Sequence, residues 1–207
     1  MSVLVYWGIL VFATAVLAQQ PDSIGRVVAL TGQVTVQRQG SAQAETLILH
    51  SPLFRNDLIR TQAAAKVRMA LIDGTMLALG EQSTLRLSDF VYTPAQDSRK
   101  ALLTVLAGVF RLVVTTVLPQ STFEVHTTNA VAAIRGTDWL GQVGPDATAV
   151  VVLQGEVVVR HARPEVQGNV QLTAGLGTDV VGGQPPTPAK QWGEARRQAL
   201  ITATTLP

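Results

Sequence analysis

The sequence predicts an all-β fold: a single domain of many short strands with glycine corners, rolled or solenoid-like into a double-layered architecture. Three observations lead there. After Gly25 apolar and polar residues alternate with a period of two, as strands with one buried face require. A glycine recurs at one fixed offset between apolar runs, in Leu30-x-Gly32-x-Val34-x-Val36, Leu106-x-Gly108-x-Phe110-x-Leu112 and Leu153-x-Gly155-x-Val157-x-Val159. The pair Asp73-Gly74 stands between two alternating runs and marks a hairpin turn. At 207 residues, 47% of them hydrophobic and 14% charged, the chain is long enough to bury one core and too apolar to be disordered.

The elements follow in order. Residues 1–18 read as a signal peptide: Val3 to Leu17 is apolar and uncharged, Ala18 supplies a small residue for cleavage, and Gln19, Gln20, Pro21 and Asp22 are polar. The run is short for a membrane span, which takes about 20 apolar residues. Residues 24–181 form the β domain. Within it Val34 and Val36 alternate with Gln33, Thr35 and Gln37, and Val67, Met69 and Leu71 alternate with Lys66 and Arg68. Further strands are expected over 75–79, 84–87, 102–106, 109–114, 123–126, 130–134, 139–143, 147–153 and 157–159. The uneven separation of the glycine corners argues against a strict repeat. Residues 182–189, Gly-Gly-Gln-Pro-Pro-Thr-Pro-Ala, are rich in strand breakers and read as a linker. In the tail, 190–207, Trp192, Ala195 and Ala199 recur at helical spacing; a short helix and a frayed tail with one docked Trp both fit.

Composition removes several chemistries. Without Cys there is no disulfide, thiol nucleophile, thiolate zinc site or iron–sulfur cluster. The pI of 9.4 rests on a net charge of only +2. Lys66 and Arg68 share the outer face of one strand with no interleaved aromatics, so no nucleic-acid partner is expected.

Two groups of motifs resemble a known family. Asp57-Leu58-Ile59-Arg60-Thr61, the run Val67 to Thr75 and Gln82 to Leu87 are similar to the first half of the FecR domain. Gly108 to Arg111, Phe123 to Thr127, Ala130 to Trp139 with Arg135-Gly136-Thr137-Asp138 at its end, and Gly155 to Val159 are similar to the second half. The resemblance implies an extracytoplasmic β domain of the kind found in the iron dicitrate regulator and related cell-surface signalling proteins. In those regulators a cytoplasmic anti-sigma segment and a membrane helix precede the domain. With the chain read as exported behind residues 1–18, direct sigma-factor control and an iron-uptake role are not expected to transfer with the module.

The residues with chemical potential are few. Asp73-Gly74-Thr75 has the aspartic-protease residues in the wrong order and in one copy, so it reads as a turn. Arg135 follows the apolar run Ala130 to Ile134; if desolvated, its guanidinium needs a partner, which Asp138, Asp57 or Asp73 can supply. Asp57, Asp73, Arg135 and Asp138 are therefore the candidate cluster, either structural ion pairs pinning a corner or a contact for an anion or a partner's carboxylate. His50, His126 and His161 lack metal-ligand spacing, and no cofactor or metal is expected. The expected function is a non-enzymatic, exported module that binds an envelope or secreted protein, or a cell-wall glycan, in a sensing, regulatory or scaffolding role. Membrane contact would come only through an uncleaved N-terminal segment. The alternative is a secreted hydrolase using the turn-proximal carboxylates.

Overall fold

In the computed structural model the described residues run from Asp22 to Leu206, so the predicted signal peptide lies outside them. The chain enters through β1 (Gly25–Thr31), turns at Gly32 into β2 (Val34–Gln37), and continues through the short β3 (Ala44–Thr46) and β4 (Pro52–Leu53). β5 (Leu58–Thr61) leads to a hairpin of β6 (Lys66–Leu71) and β7 (Met76–Leu79), then to β8 (Thr84–Thr93), a 3-10 turn over Pro94–Gln96, and β9 (Ser98–Val113). There follow β10 (Gln120–His126), β11 (Ala130–Val143), β12 (Ala147–His161), β13 (Asn169–Thr173), β14 (Leu176–Val181) and β15 (Lys190–Gln191). The helix α1 (Glu194–Thr204) ends the described chain.

All these strands belong to one hydrogen-bonded network, which doubles back on itself as two layers. The first runs β3, β2, β5, β8, the first half of β9, β10, the first half of β11, the second half of β12, and β13. The second runs β4, β1, β6, β7, the second halves of β9 and β11, the first half of β12, β14 and β15. Only β9 and β10 pair in parallel among the described residues, with Ser98 opposite Gln120 and Thr104 opposite His126. That register requires residues 114–119 to carry the chain back to the start of β9.

The alternation explains which residues face inward. In β6, Val67, Met69 and Leu71 are buried while Lys66, Arg68 and Ala70 are half-buried. Side chains from both layers meet in one core that includes Val36, Ile59, Leu87 and Leu103 from the first and Val27, Met69, Leu79 and Phe110 from the second. At its centre Phe110 and Trp139 meet edge to face, 4.9 Å between centroids. The double-layered architecture expected from the sequence is present.

Two expectations need correction. The runs 102–106 and 109–114 are not separate strands but one, β9; the same holds for 130–134 with 139–143 and for 147–153 with 157–159. The glycines between them bend a strand from one layer to the other without ending it. Gly108 (φ +94°) shows why a side chain is excluded: a Cβ there would lie 2.5 Å from Ser83 Cα. Gly155 (φ +86°) is equally confined, with the carbonyl oxygen of Gly136 at 2.4 Å from the same hypothetical atom.

The breaker-rich stretch after Val181 is a strap held along β14 rather than a free linker. Thr187 N–H donates to the Asp179 carbonyl (3.0 Å) and Thr178 Oγ1 donates to the Thr187 carbonyl (2.6 Å). Of the two readings of the tail, the helix is the one observed. Trp192 and Leu200 pack with Leu140, Ala149 and Val151 on the outer face of the second layer, forming a small separate apolar cluster. Lys66 Nζ donates to the carbonyls of Thr202 (2.7 Å) and Thr205 (2.9 Å), satisfying the helix C-terminus. No helix among the described residues is long and apolar enough to cross a membrane.

Candidate functional site

The three candidate aspartates do not gather around Arg135; each has its own arginine. Asp73, in the β6–β7 turn, accepts from Thr75 N (2.9 Å) and Thr75 Oγ1 (2.8 Å), the turn chemistry expected of Asp-Gly-Thr. Its Oδ2 also takes Arg99 Nη1 at 2.6 Å, with both side chains essentially sealed from solvent, 0% and 1% exposed. Arg99 spends its other donors on Ser121 Oγ (3.1 Å) and the Thr116 carbonyl (3.1 Å), and lies over the Phe123 ring. This set ties the turn to the start of the parallel β9–β10 pair.

Asp138, on β11, receives a two-pronged contact from Arg111 on β9, Nε to Oδ1 at 2.9 Å and Nη2 to Oδ2 at 2.7 Å. In the register Arg111 faces Leu140 and Asp138 faces Val113, so the pair is diagonal across two strands. Donating to Asp138 raises the Arg111 pKa above its ordinary value.

Asp57, immediately before β5, is 1% exposed. Its Oδ2 accepts from Arg38 Nη1 (2.5 Å) and from Phe54 N (2.8 Å), while Oδ1 is buried without a donor. Burial raises its pKa above the ordinary carboxyl value, more than the Phe54 N–H and Arg38 lower it. Asp57 lines a groove of about 720 Å³ together with Arg38, Phe54, Arg55, Asn56, Ser88 and Asp89. Charged groups of both signs and one aromatic ring suit a polar segment of protein better than a small apolar molecule.

Arg135 departs from expectation. It is exposed and makes no ion pair among the described residues, because alternation along β11 buries Ala132 and Ile134 and turns Ala133 and Arg135 outward before the strand bends at Gly136. It sits opposite Glu156 in the β11–β12 register and borders a groove of about 270 Å³ beside Val117, Leu118 and Pro119. Sequence reasoning missed Arg38 and Arg99 altogether. Alternation could have marked Arg111, flanked by the buried Phe110 and Leu112, as outward-facing, but only strand register identifies its acid.

The histidines are dispersed. His126 Nε2 lies 2.6 Å from Glu124 Oε2, buried His161 accepts at Nδ1 from Arg163 N (2.9 Å), and His50 is exposed. Among the described residues no three His, Asp or Glu side chains are grouped to hold a metal.

Three comparisons bear on this geometry. A family model described as FecR protein matches residues 57–158, from the groove's aspartate to Val158 in the second half of β12. Two crystal structures of a protein from Parabacteroides distasonis, provisionally described as an anti-sigma factor, have the same kind of fold, with TM-scores of 0.57 and 0.56 at 18% identity. Each alignment covers 70% of this chain, which spans 64% and 63% of those two chains, somewhat less than two thirds of their length. No curated protein matches the sequence.

Proposed function

From the premise that this chain is a FecR-domain protein, matched over residues 57–158, we propose that it is a non-enzymatic regulatory module of the cell envelope. Residues 1–18 direct its export, residues 24–181 form the module, and the tail from residue 190 to 206 docks on its outer face. It works by holding another envelope or secreted protein, in a sensing or scaffolding role. The FecR match carries this reading, and the likeness of fold to a protein provisionally described as an anti-sigma factor supports it.

The side-chain arrangement agrees. Asp73 and Asp138 spend their oxygens on Arg99, Thr75 and Arg111, and Asp57 gives Oδ2 to Arg38 and Phe54 N, so each carboxylate of the hydrolase alternative is engaged by its own arginine, though Asp57 Oδ1 lacks a donor. A cell-wall glycan is the weaker ligand, since sugars are commonly held on ring faces and only 5% of the residues are aromatic. Nucleic acid is not part of the proposal.

The test begins with fractionation of cells expressing the full sequence and mass spectrometry of the N-terminus. The expected result is a product beginning at Gln19 outside the cytoplasm, which photo-crosslinks to a defined envelope protein from groove positions such as Arg55. A cytosolic product retaining Met1, or an exported one that crosslinks to nothing beyond a control probe at Gly40, overturns the reading.

A further inference from the structure

Strand β8 pairs with β9 over Thr84 to Arg86 and again, past an irregularity, over Asp89 to Thr93. On its other side β5 reaches only Thr84 to Arg86, and Leu87 then exchanges backbone bonds with Asn56 (2.6 Å) and Asp57 (3.0 Å). From Ser88 to Thr93 that side has no backbone partner among the described residues, an open edge of roughly 20 Å at strand rise. Elsewhere the sheet ends are blunted: β3 has three residues, β4 and β15 two each, and β13 exposes Asn169, Gln171 and Thr173. The open stretch of β8 contains no Lys, Arg or Pro, and its Val91 is 44% exposed.

This stretch is complementary to itself. In an antiparallel pair, opposite residues point to the same face, so a twofold axis must pass through a residue position. With the axis at Val91, the two Val91 side chains meet on the outer face. Phe90 of each copy then lies opposite Tyr92 of the other on the inner face, where Phe90 is buried and Tyr92 already packs against the core. Asp89 falls opposite Thr93. Aromatic and β-branched cross-strand pairs of this kind favour association.

The same register brings the turn after β8, Pro94 to Asp97, alongside Ser88 of the second copy, at the mouth of the 720 Å³ groove. The groove offers what that turn lacks. Ser88 and Asn56 line the groove with polar groups, and Gln96 brings a neutral amide that can bond them. Arg55 is exposed with no ion pair among the described residues, and Asp97 brings a carboxylate.

We propose that the open edge of β8 is a self-association surface: two copies join their first layers antiparallel across a twofold at Val91, each seating its Pro94–Asp97 turn in the groove beside Asp57 of the other. The proposal stands whether or not the regulatory reading does, because its occupant is a second copy of this chain.

The experiment uses the chain as exported by cells expressing the full sequence, at roughly 100 µM, a concentration suited to the modest affinity of a small interface. Sedimentation velocity should show twice the monomer mass. Val91→Lys, which sets two ammonium groups against each other on an exposed position, should weaken the dimer about tenfold or more while the circular dichroism of the monomer stays native. The natural sequence has no Cys, so Val91→Cys should form a disulfide-linked dimer on mild oxidation: opposite Cα atoms in a strand pair lie about 4.5–5.5 Å apart, within disulfide range. Val181→Cys, 43% exposed on another strand, is the control. A monomeric mass at that concentration, a Val91→Lys dimer as tight as the parent, or Val91→Cys crosslinking no faster than Val181→Cys overturns the proposal.

Discussion

The Asp73–Arg99 and Asp138–Arg111 pairs have the same chemistry in different surroundings, and the surroundings decide their worth. The first is sealed, at 0% and 1% side-chain exposure, and the second keeps 18% and 31%. Breaking a buried pair strands a charge that water cannot reach, so Asp73→Ala should cost about 3–5 kcal/mol in urea unfolding. Asp138→Ala leaves Arg111 free to turn toward solvent, and its cost should stay near 1 kcal/mol and shrink with added salt. Equal costs in the two variants would contradict this ranking. The aspartates were recognisable in the sequence because turn glycines or motif residues flank them. Their arginines were not, since Arg38 lies 19 residues from Asp57 and Arg99 lies 26 from Asp73, with intervening strands that sequence does not pair. Arg135 misled for a different reason: in a strand the neighbour of a buried residue faces outward, so following Ile134 places Arg135 in solvent, as Ala133 already is.

At the scale of elements, the docked tail is held by surface burial at one end and charge at the other. Gly177 makes the apolar contact: a Cβ there would stand 2.4 Å from the Trp192 ring, so only glycine lets the indole lie flat on the strand. Arg196 stacks on the Trp192 ring at 3.5 Å and bonds Asp179 through Nη2 (2.5 Å), and this hydrogen bond lowers the Asp179 pKa below its ordinary value. A carboxyl group with a lowered folded-state pKa stabilises fully above its unfolded value near 4 and loses that contribution as pH falls through the folded one. An undocked helix of 11 residues is marginal in water, so docking can be read as helicity. Far-UV circular dichroism should therefore show helical signal falling below about pH 4 while the strand signal persists. Asp179→Asn should lower the helical signal already at neutral pH and flatten the acid response; an unchanged acid response in that variant would place the sensitivity elsewhere. A helix in the tail was visible in the sequence, but not its buried face: Trp192 precedes the helix, Ala195 and Ala199 are exposed, and Leu200 and Thr204 are its buried residues. The landing site was hidden too, because Leu140, Ala149 and Val151 sit on strands that also have buried inner faces.

At the scale of the molecule, glycine geometry governs whether the layers form together. Gly108→Ala combines a left-handed φ with a contact on Ser83 backbone, whereas Gly40 (φ +78°) has nothing within 4 Å of the added atom. Gly108→Ala should cost about 1–3 kcal/mol from backbone conformation and more from the clash; Gly40→Ala should pay only the conformational part. Denaturant midpoints read the difference, and equal shifts would mean that the corner relaxes freely. The fixed offset of the glycine motif made the bends legible. Continuity of β9, β11 and β12 through them was not, since alternation stops at a bend just as it does at a strand's end. The parallel β9–β10 pairing was also hidden, because it depends on a return path that has no local sequence signature.

Those three bent strands have a mechanical consequence. A pull that tries to peel one layer off the other is resisted along β9, β11 and β12 by covalent backbone, and only secondarily by side chains. Rupture under load would begin at the two-residue rims, β4 and β15, leaving the middle of the body to transmit tension intact.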